Sequence, residues 1–428
     1  MNERRAARRP PTLSREESAL FTDPVAYSDV DGWHASAAKL RRRGGLCKVD
    51  SEAFRPFLAA VGHREITEIE SNSKLFRNAP FPILVEGMER GGGAPPTKNL
   101  VGMDGEEHRV YRSIIADWFA PKAINDRAQE IHDLARQYVD RLLSLKGDID
   151  FVKAVGAGLP LRFIMATLGL PEEDDEKIHR WTTEFFGAQD PDLAGSTGDM
   201  KARMDRIVTE LSAYFIDKSE RWRSTPDDSL GSVIANARID GEFLAADMLC
   251  AYFILLSAAG HDTVATVLTG GIEALARHPT ELSKLKSDTS LVANAVEEII
   301  RWVTPTKHFM RTAVADTVVN GYAVEAGDWV LLSYPSANRD EHVFENPFRF
   351  DVSRKEARKH LAFGTGPHFC IGNRLARLQL RIFFEELIGR VDAIELCGDV
   401  EYSATTFVST FKRLPIRVTK RRSAGRAR

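Results

Sequence analysis

One stretch of sequence sets the terms for the whole fold. From Met248 to His278 the chain reads as a single long helix whose first half is apolar nearly all round. A helix with no polar face must be covered on every side, so it has to cross the middle of a large core. Its longest apolar run, Met248 to Gly260, has about 13 residues and is flanked by Asp247 and Asp262. A membrane span needs ~20, so a soluble, cytoplasmic protein with no membrane partner is expected. With 43% hydrophobic and 28% charged residues, the 428-residue chain can bury such a core and stay dissolved. A net charge of −3 gives no sign of the basic face that nucleic acid requires.

The N-terminal MNERRAARRPP is basic and lacks the hydrophobic stretch of a secretory signal. Residues 1–20 read as a flexible tail and residues 21–428 as one domain. Helical patterns run from Glu106 to Ser144 with a pause at Pro121, then over Leu159–Leu168, Asp174–Phe186, Met200–Trp222, Ala245–His278, Glu281–Lys286 and Leu291–Trp302, with a last helix over Asn373–Leu387. Residues 312–333 alternate like strands, with turns at Asn320–Gly321 and Gly327–Asp328, and the final forty residues look like short strands. The fold class is therefore mainly α with a small β portion. Residues 78–103 form a long loop, with glycines at 91–93 and prolines at 95 and 96, and residues 187–199 form a polar break. Both are candidates to line a pocket.

The four cysteines, Cys47, Cys250, Cys370 and Cys397, show no CxxC or zinc spacing, which suits a reducing compartment. Cys370 stands apart. It lies in Phe363-Gly-Thr-Gly-Pro-His368-Phe-Cys370-Ile-Gly372, just before the helix NRLARLQLRIFFEEL. Free amides and the dipole at a helix N-terminus stabilise a negative sulfur. Flanking glycines let a flat macrocycle approach the backbone, and a thiolate on iron favours O–O cleavage. The plain alternative for a lone cysteine here is a buried structural thiol.

The full pattern FxxGxHxCxG, followed by Leu-Ala-Arg at 375–377, resembles the heme-binding loop of soluble bacterial cytochromes P450. The resemblance runs from about Asp23 to the C-terminus and is strongest from Leu255 onward. It implies a helical prism with heme b (iron protoporphyrin IX) between the long central helix and the helix after the cysteine loop, and Cys370 as the iron ligand. Ala259-Gly260-His261-Asp262-Thr263, in the middle of the central helix, resembles the family's oxygen-activation motif. On helix grammar alone, Thr263 can bond back to the Ala259 carbonyl and open a groove, and Gly260 leaves room beside the helix. The resemblance adds that Thr263 hydrogen-bonds bound oxygen and that Asp262 relays protons. Val264 stands where many members have a second threonine, and His261 is expected to face away from the heme.

Glu298 and Arg301, three apart on one helix, match the ExxR element, and Arg354 matches its third partner. His108 and Arg112 resemble the HxxxR pair that reaches the heme propionates. Arg311 and His368 match two further propionate partners. Phe363, Gly364 and Gly372, with Ala259 and Gly260, would flank the ring. Phe309-Met-Arg-Thr-Ala, Leu332-Ser-Tyr-Pro-Ser-Ala-Asn-Arg-Asp and Ile382-Phe-Phe-Glu-Glu-Leu look like the terpineol-hydroxylating branch. That implies a small hydrophobic substrate, such as a monoterpenoid or alkyl aromatic, met by Ile254–Thr263, Thr306–Phe309 and Thr406–Val408. The family implies a monooxygenase using O2, acting as a monomer. Since the chain has no flavin, nicotinamide or iron–sulfur segment, electrons would come from an iron–sulfur ferredoxin and its NAD(P)H-dependent reductase. Arg109, Arg112, Lys122, Arg374 and Arg377 could form the docking face. The competing classes are a non-catalytic heme-thiolate sensor and a peroxide-driven oxidase. Both sit poorly with the acid–alcohol pair Asp262–Thr263.

Overall fold

The computed structural model describes residues 7–84, 98–190, 192 and 200–421. The central helix, Ala246–Arg277, runs unbroken through 32 residues. Its composition would also suit a membrane span, but most of its side chains are buried within the protein, with Phe253, Ile272 and Leu275 fully so. Two cores share it, which is why no side of it is polar. Its first half joins Phe163 and Ile164 of helix Gly158–Leu168, Ile178 and Trp181 of helix Asp175–Phe186, and Leu211 and Phe215 of helix Met200–Ser224. The Phe215 and Phe253 rings stack at 4.7 Å. Its second half joins Val139 and Leu142 of helix Ala128–Ser144, Val296 and Ile300 of helix Val292–Val303, and Phe383 and Leu387 of helix Asn373–Ile388.

The strands sit to one side. A five-stranded sheet has the order Leu46–Val49, Phe57–Ala60, Trp329–Ser333, His308–Ala313, Phe76–Arg77. Its inner pair is antiparallel, with Leu331 opposite Met310. A smaller sheet joins Val391–Leu396, Pro415–Lys420 and Ile149–Asp150. The Asn320–Gly321 turn links Thr317–Val319 to Tyr322–Val324, and both turn residues have positive φ, as a tight hairpin requires. The strand expected from residue 312 begins earlier, at His308.

The expected tail over residues 1–20 is corrected from residue 7 onward. Leu13 and Ser18 are buried, helix Arg15–Thr22 is closed by a Ser14–Glu17 capping box, and Arg8 lies over the Tyr322 ring. Polar composition hid these anchors. Residues 1–6 lie outside the described residues. So do residues 85–97 of the expected 78–103 loop, and residues 191 and 193–199 of the expected polar break.

Candidate active site

The cysteine loop is built from backbone upward. Gly364 and Gly366 take φ values of +66° and +67°, where other residues are strained. A side chain at Gly366 would strike the Glu70 carbonyl, 2.2 Å from an added Cβ. The Cys370 N–H donates to the Phe363 carbonyl at 2.9 Å, and Asn373 Nδ2 donates to the Cys370 carbonyl at 2.6 Å. Gly372 caps helix Asn373–Ile388, as the sequence implies. Burial pushes the Cys370 thiol up. The Gly372 amide, the Arg112 and Arg377 guanidiniums and the Asn373 amide pull it back toward the thiolate.

Beside the loop, His108 and His368 stack with ring centres 3.9 Å apart. His108 is buried and its Nε2 has no hydrogen-bond partner. Burial, with His108, Arg311 and Arg112 nearby, drives the His368 pKa down to about 2. Arg112 Nη2 donates to the Phe369 carbonyl at 2.6 Å. The sequence does not reveal one member of this cluster. Glu70, buried in helix His63–Ser71, accepts from Arg311 Nη2 (2.8 Å), the Tyr334 hydroxyl (2.8 Å) and the Thr365 amide (2.9 Å). Arg311 therefore already has one carboxylate partner. No motif announces Glu70, because Arg311 lies 241 residues away.

In the central helix, Ala259 is exposed although both neighbouring turns are largely buried, and Gly260, Asp262 and Thr263 are half-buried. Thr263 Oγ1 donates to the Ala259 carbonyl at 3.0 Å. The helix stays continuous across this bond. Gly260 needs correcting. A Cβ there would lie 2.7 Å from Ile164 Cδ1 and Cγ1. The missing side chain admits the helix Gly158–Leu168 and does not leave an open space. Gly260→Ala should therefore destabilise the protein by about 1–3 kcal/mol, the range for overpacking a dense core. Adding Ile164→Val should restore part of the loss. Urea unfolding of the two variants checks this, and an unchanged midpoint for Gly260→Ala would remove this role.

Comparison with known proteins decides the family. A family model described as Cytochrome P450 matches residues 185–396. Cytochrome P450-terp from Pseudomonas sp is 36% identical over 411 residues, spanning 93% of this chain and 96% of that one. The chain belongs to the cytochrome P450 family. Linalool 8-monooxygenase from Pseudomonas putida is 30% identical over 390 residues, covering 90% of this chain and 95% of that one. The crystal structure of CYP108D1 from Novosphingobium aromaticivorans aligns with a TM-score of 0.88 at 33% identity, over 96% of this chain and 100% of that chain.

As a cytochrome P450 the protein is a monooxygenase that binds heme b. The donors in place suit that group. Heme brings two carboxylates, and this site offers Arg112 and the unpartnered, buried His108 Nε2. It also brings an iron that takes a thiolate, and Cys370 Sγ faces two backbone amides.

Beneath the cysteine loop, the P450 is braced by buried charge. Glu298 accepts from Arg301 Nε at 2.7 Å and Nη2 at 2.8 Å, from Arg354 Nε at 3.1 Å, and from the Asp351 amide at 3.0 Å. Arg301 Nη1 donates to the carbonyls of Asn338 and Pro347. Asn338 Oδ1 in turn accepts from the Leu361 amide, at the start of the cysteine segment. Glu297, next along the helix, binds Arg377 at 2.7 Å and His360 at 3.2 Å. Burial raises its pKa, but those two partners outweigh burial and hold it near about 2.

Two groups of expected residues divide. Of the five docking cations, Arg109 pairs with Glu106, Lys122 with Asp126 and Arg377 with Glu297, so local carboxylates already occupy three. Arg374 is exposed and Arg112 half-buried. Within Thr306–Phe309, Lys307 Nζ donates to the Thr405 carbonyl, and His308 bridges the Thr406 carbonyl and the Leu84 amide. Those two serve the frame, and Thr306 and Phe309 keep partial exposure. Thr406 is tied through its amide to Gln189 Oε1 at 2.8 Å.

Proposed function

We propose that Cys370 would hold the iron of heme b through its sulfur, and that this P450 hydroxylates a small, largely hydrocarbon molecule with electrons from an iron–sulfur ferredoxin. The observation that carries the ligand assignment is the sulfur at a helix N-terminus, with the Gly372 and Asn373 amides aimed at it. Heme b, when bound, supplies an iron that activates O2, one oxygen atom entering a C–H bond and the other leaving as water. The protein does the rest. The amides at Sγ tune its electron donation. Arg112 and Arg311 would neutralise the propionates and the neutral His108 and His368 would donate hydrogen bonds to them, with Glu70 fixing Arg311. Ala259, Phe363, Gly364 and Gly372 flank the ring. Thr263 holds a hydroxyl at the reacting face, and Asp262 moves protons to it.

The substrate class finds support in the names of two relatives, Cytochrome P450-terp and linalool 8-monooxygenase. It also suits the apolar, half-buried Ile254 and Leu255 on the same helix as the exposed Ala259, and the half-buried Phe309. Exposed Arg374, with Arg112 and the 38% exposed Phe369, offers a surface for an acidic ferredoxin fed by an NAD(P)H-dependent reductase. We place the enzyme in the cytoplasm as a monomer.

A spectral binding screen tests the substrate class. Monoterpenoid alcohols and alkylbenzenes should shift the ferric heme from low to high spin at micromolar concentration, and product should form only with ferredoxin and reductase present. If steroids or long-chain lipids alone gave the shift, the small-substrate assignment would be wrong.

A further inference from the structure

His261 is fully buried in the central helix, and every atom facing its ring nitrogens is an acceptor. Nδ1 lies 2.6 Å from the Ser257 carbonyl. Nε2 lies 3.1 Å from Asp262 Oδ1 and 3.2 Å from Thr182 Oγ1. The Thr182 hydroxyl has its own proton committed to the carbonyls of Ile178 and His179, at 3.2 Å each. With its proton so placed it can accept from Nε2, but the two fixed acceptors are the Ser257 carbonyl and Asp262 Oδ1. A neutral imidazole carries one N–H and cannot satisfy acceptors on both sides. The cation can, with Asp262 as its counter-ion. Asp262 Oδ2, by contrast, is buried and has no partner.

We propose, resting on the roles given above to Asp262 and Thr263, that His261 is the positioning residue that reprotonates Asp262, and that His179 reloads it from solvent. The transfer is balanced as proton steps alone. The Nε2–H bond of His261 breaks and an O–H bond forms on the Asp262 carboxylate. The carboxyl group then turns to carry that O–H away from His261 and releases the proton toward Thr263, and His261 regains one from the His179 side. His179, on the neighbouring helix Asp175–Phe186, is half-buried, its ring centre is 6.3 Å from that of His261, and its Nδ1 is buried without a partner. A water entering between the two rings would complete the route.

The titratable groups facing His261 are Asp262 on its own helix and His179 across from it, while the helix Gly158–Leu168 contributes Ile164 over Gly260. Burial alone lowers the His261 pKa, but the Asp262 carboxylate and the Ser257 carbonyl outweigh it and raise the value. Burial and then the His261 charge lower that of His179, as befits a group that passes protons on and does not store them.

Nitrogen NMR of the ferrous, carbon-monoxide-bound holoenzyme labelled in histidine tests the charge state without turnover. One imidazole should carry protons on both nitrogens at neutral pH, vanish in His261→Gln, and become singly protonated in Asp262→Asn. In turnover, His261→Gln should lower the fraction of electrons recovered as product about tenfold. That is less than the ~100-fold expected for losing an acid–base group outright, because Asp262 remains. Its solvent deuterium isotope effect should rise, and His179→Gln should show a smaller change of the same sign. A neutral His261 would overturn the proposal, and so would a His261→Gln enzyme that loses stability but keeps its coupling and isotope effect. The reduced carbon-monoxide spectrum of the same sample reports the thiolate separately. A failure of the relay is thereby told apart from a failure of the heme-thiolate assignment.

Discussion

Glu298→Ala should destabilise the protein by about 3–5 kcal/mol, the scale for removing one partner of a buried ion pair. The reason is geometric. The Glu298 and Arg301 side chains are fully buried and that of Arg354 is 5% exposed, and the one carboxylate receives both guanidiniums and the Asp351 amide. Deleting it leaves two buried cations facing each other. The same cut loosens Arg301, which holds the Asn338 carbonyl, and Asn338 holds Leu361 ahead of the cysteine loop. Heme retention should fall with stability. Turnover per bound heme should not, because the carboxylate braces the loop from below. Urea midpoints and pyridine hemochrome quantitation measure the two quantities. A loss under about 1 kcal/mol would mean that the network is not a brace.

Cys370→Ser should reduce monooxygenase turnover at least about a thousandfold, the scale seen when the group carrying the chemistry is removed. A hydroxyl fills nearly the same volume and can still meet the Gly372 and Asn373 amides. The loop should therefore hold its shape, and heme should still be found in the protein. What disappears is the electron donation from sulfur that favours O–O cleavage. The contrast separates the roles, since Glu298→Ala costs folding and Cys370→Ser costs chemistry.

Which features could be read beforehand follows from their range along the chain. The cysteine loop, the Glu298–Arg301 pair and the Thr263 back-bond span ten residues or fewer, and local spacing states them. The central helix was legible for a related reason, since a helix apolar on all sides must be enclosed, and two cores enclose it. Glu70 was not legible. It meets Arg311 and Tyr334 only after the sheet brings residues more than 240 positions apart together. Gly260 was misread because a missing side chain looks the same in sequence whether a ligand or Ile164 fills the space. The bonds of Lys307 and His308 were not legible either, because their partners, Thr405 and Thr406, arrive from the far end of the chain. Leu13 was lost among polar neighbours in a segment that looks like a tail.

The reduced protein exposed to carbon monoxide gives the most direct test. If the Cys370 sulfur holds the iron, the main absorption band should move to the long wavelength that only a thiolate ligand produces, and Cys370→Ser should lack it. If the native protein instead showed the shorter-wavelength band of an imidazole or neutral ligand, or if Cys370→Ser kept the long-wavelength band, position 370 would not hold the iron.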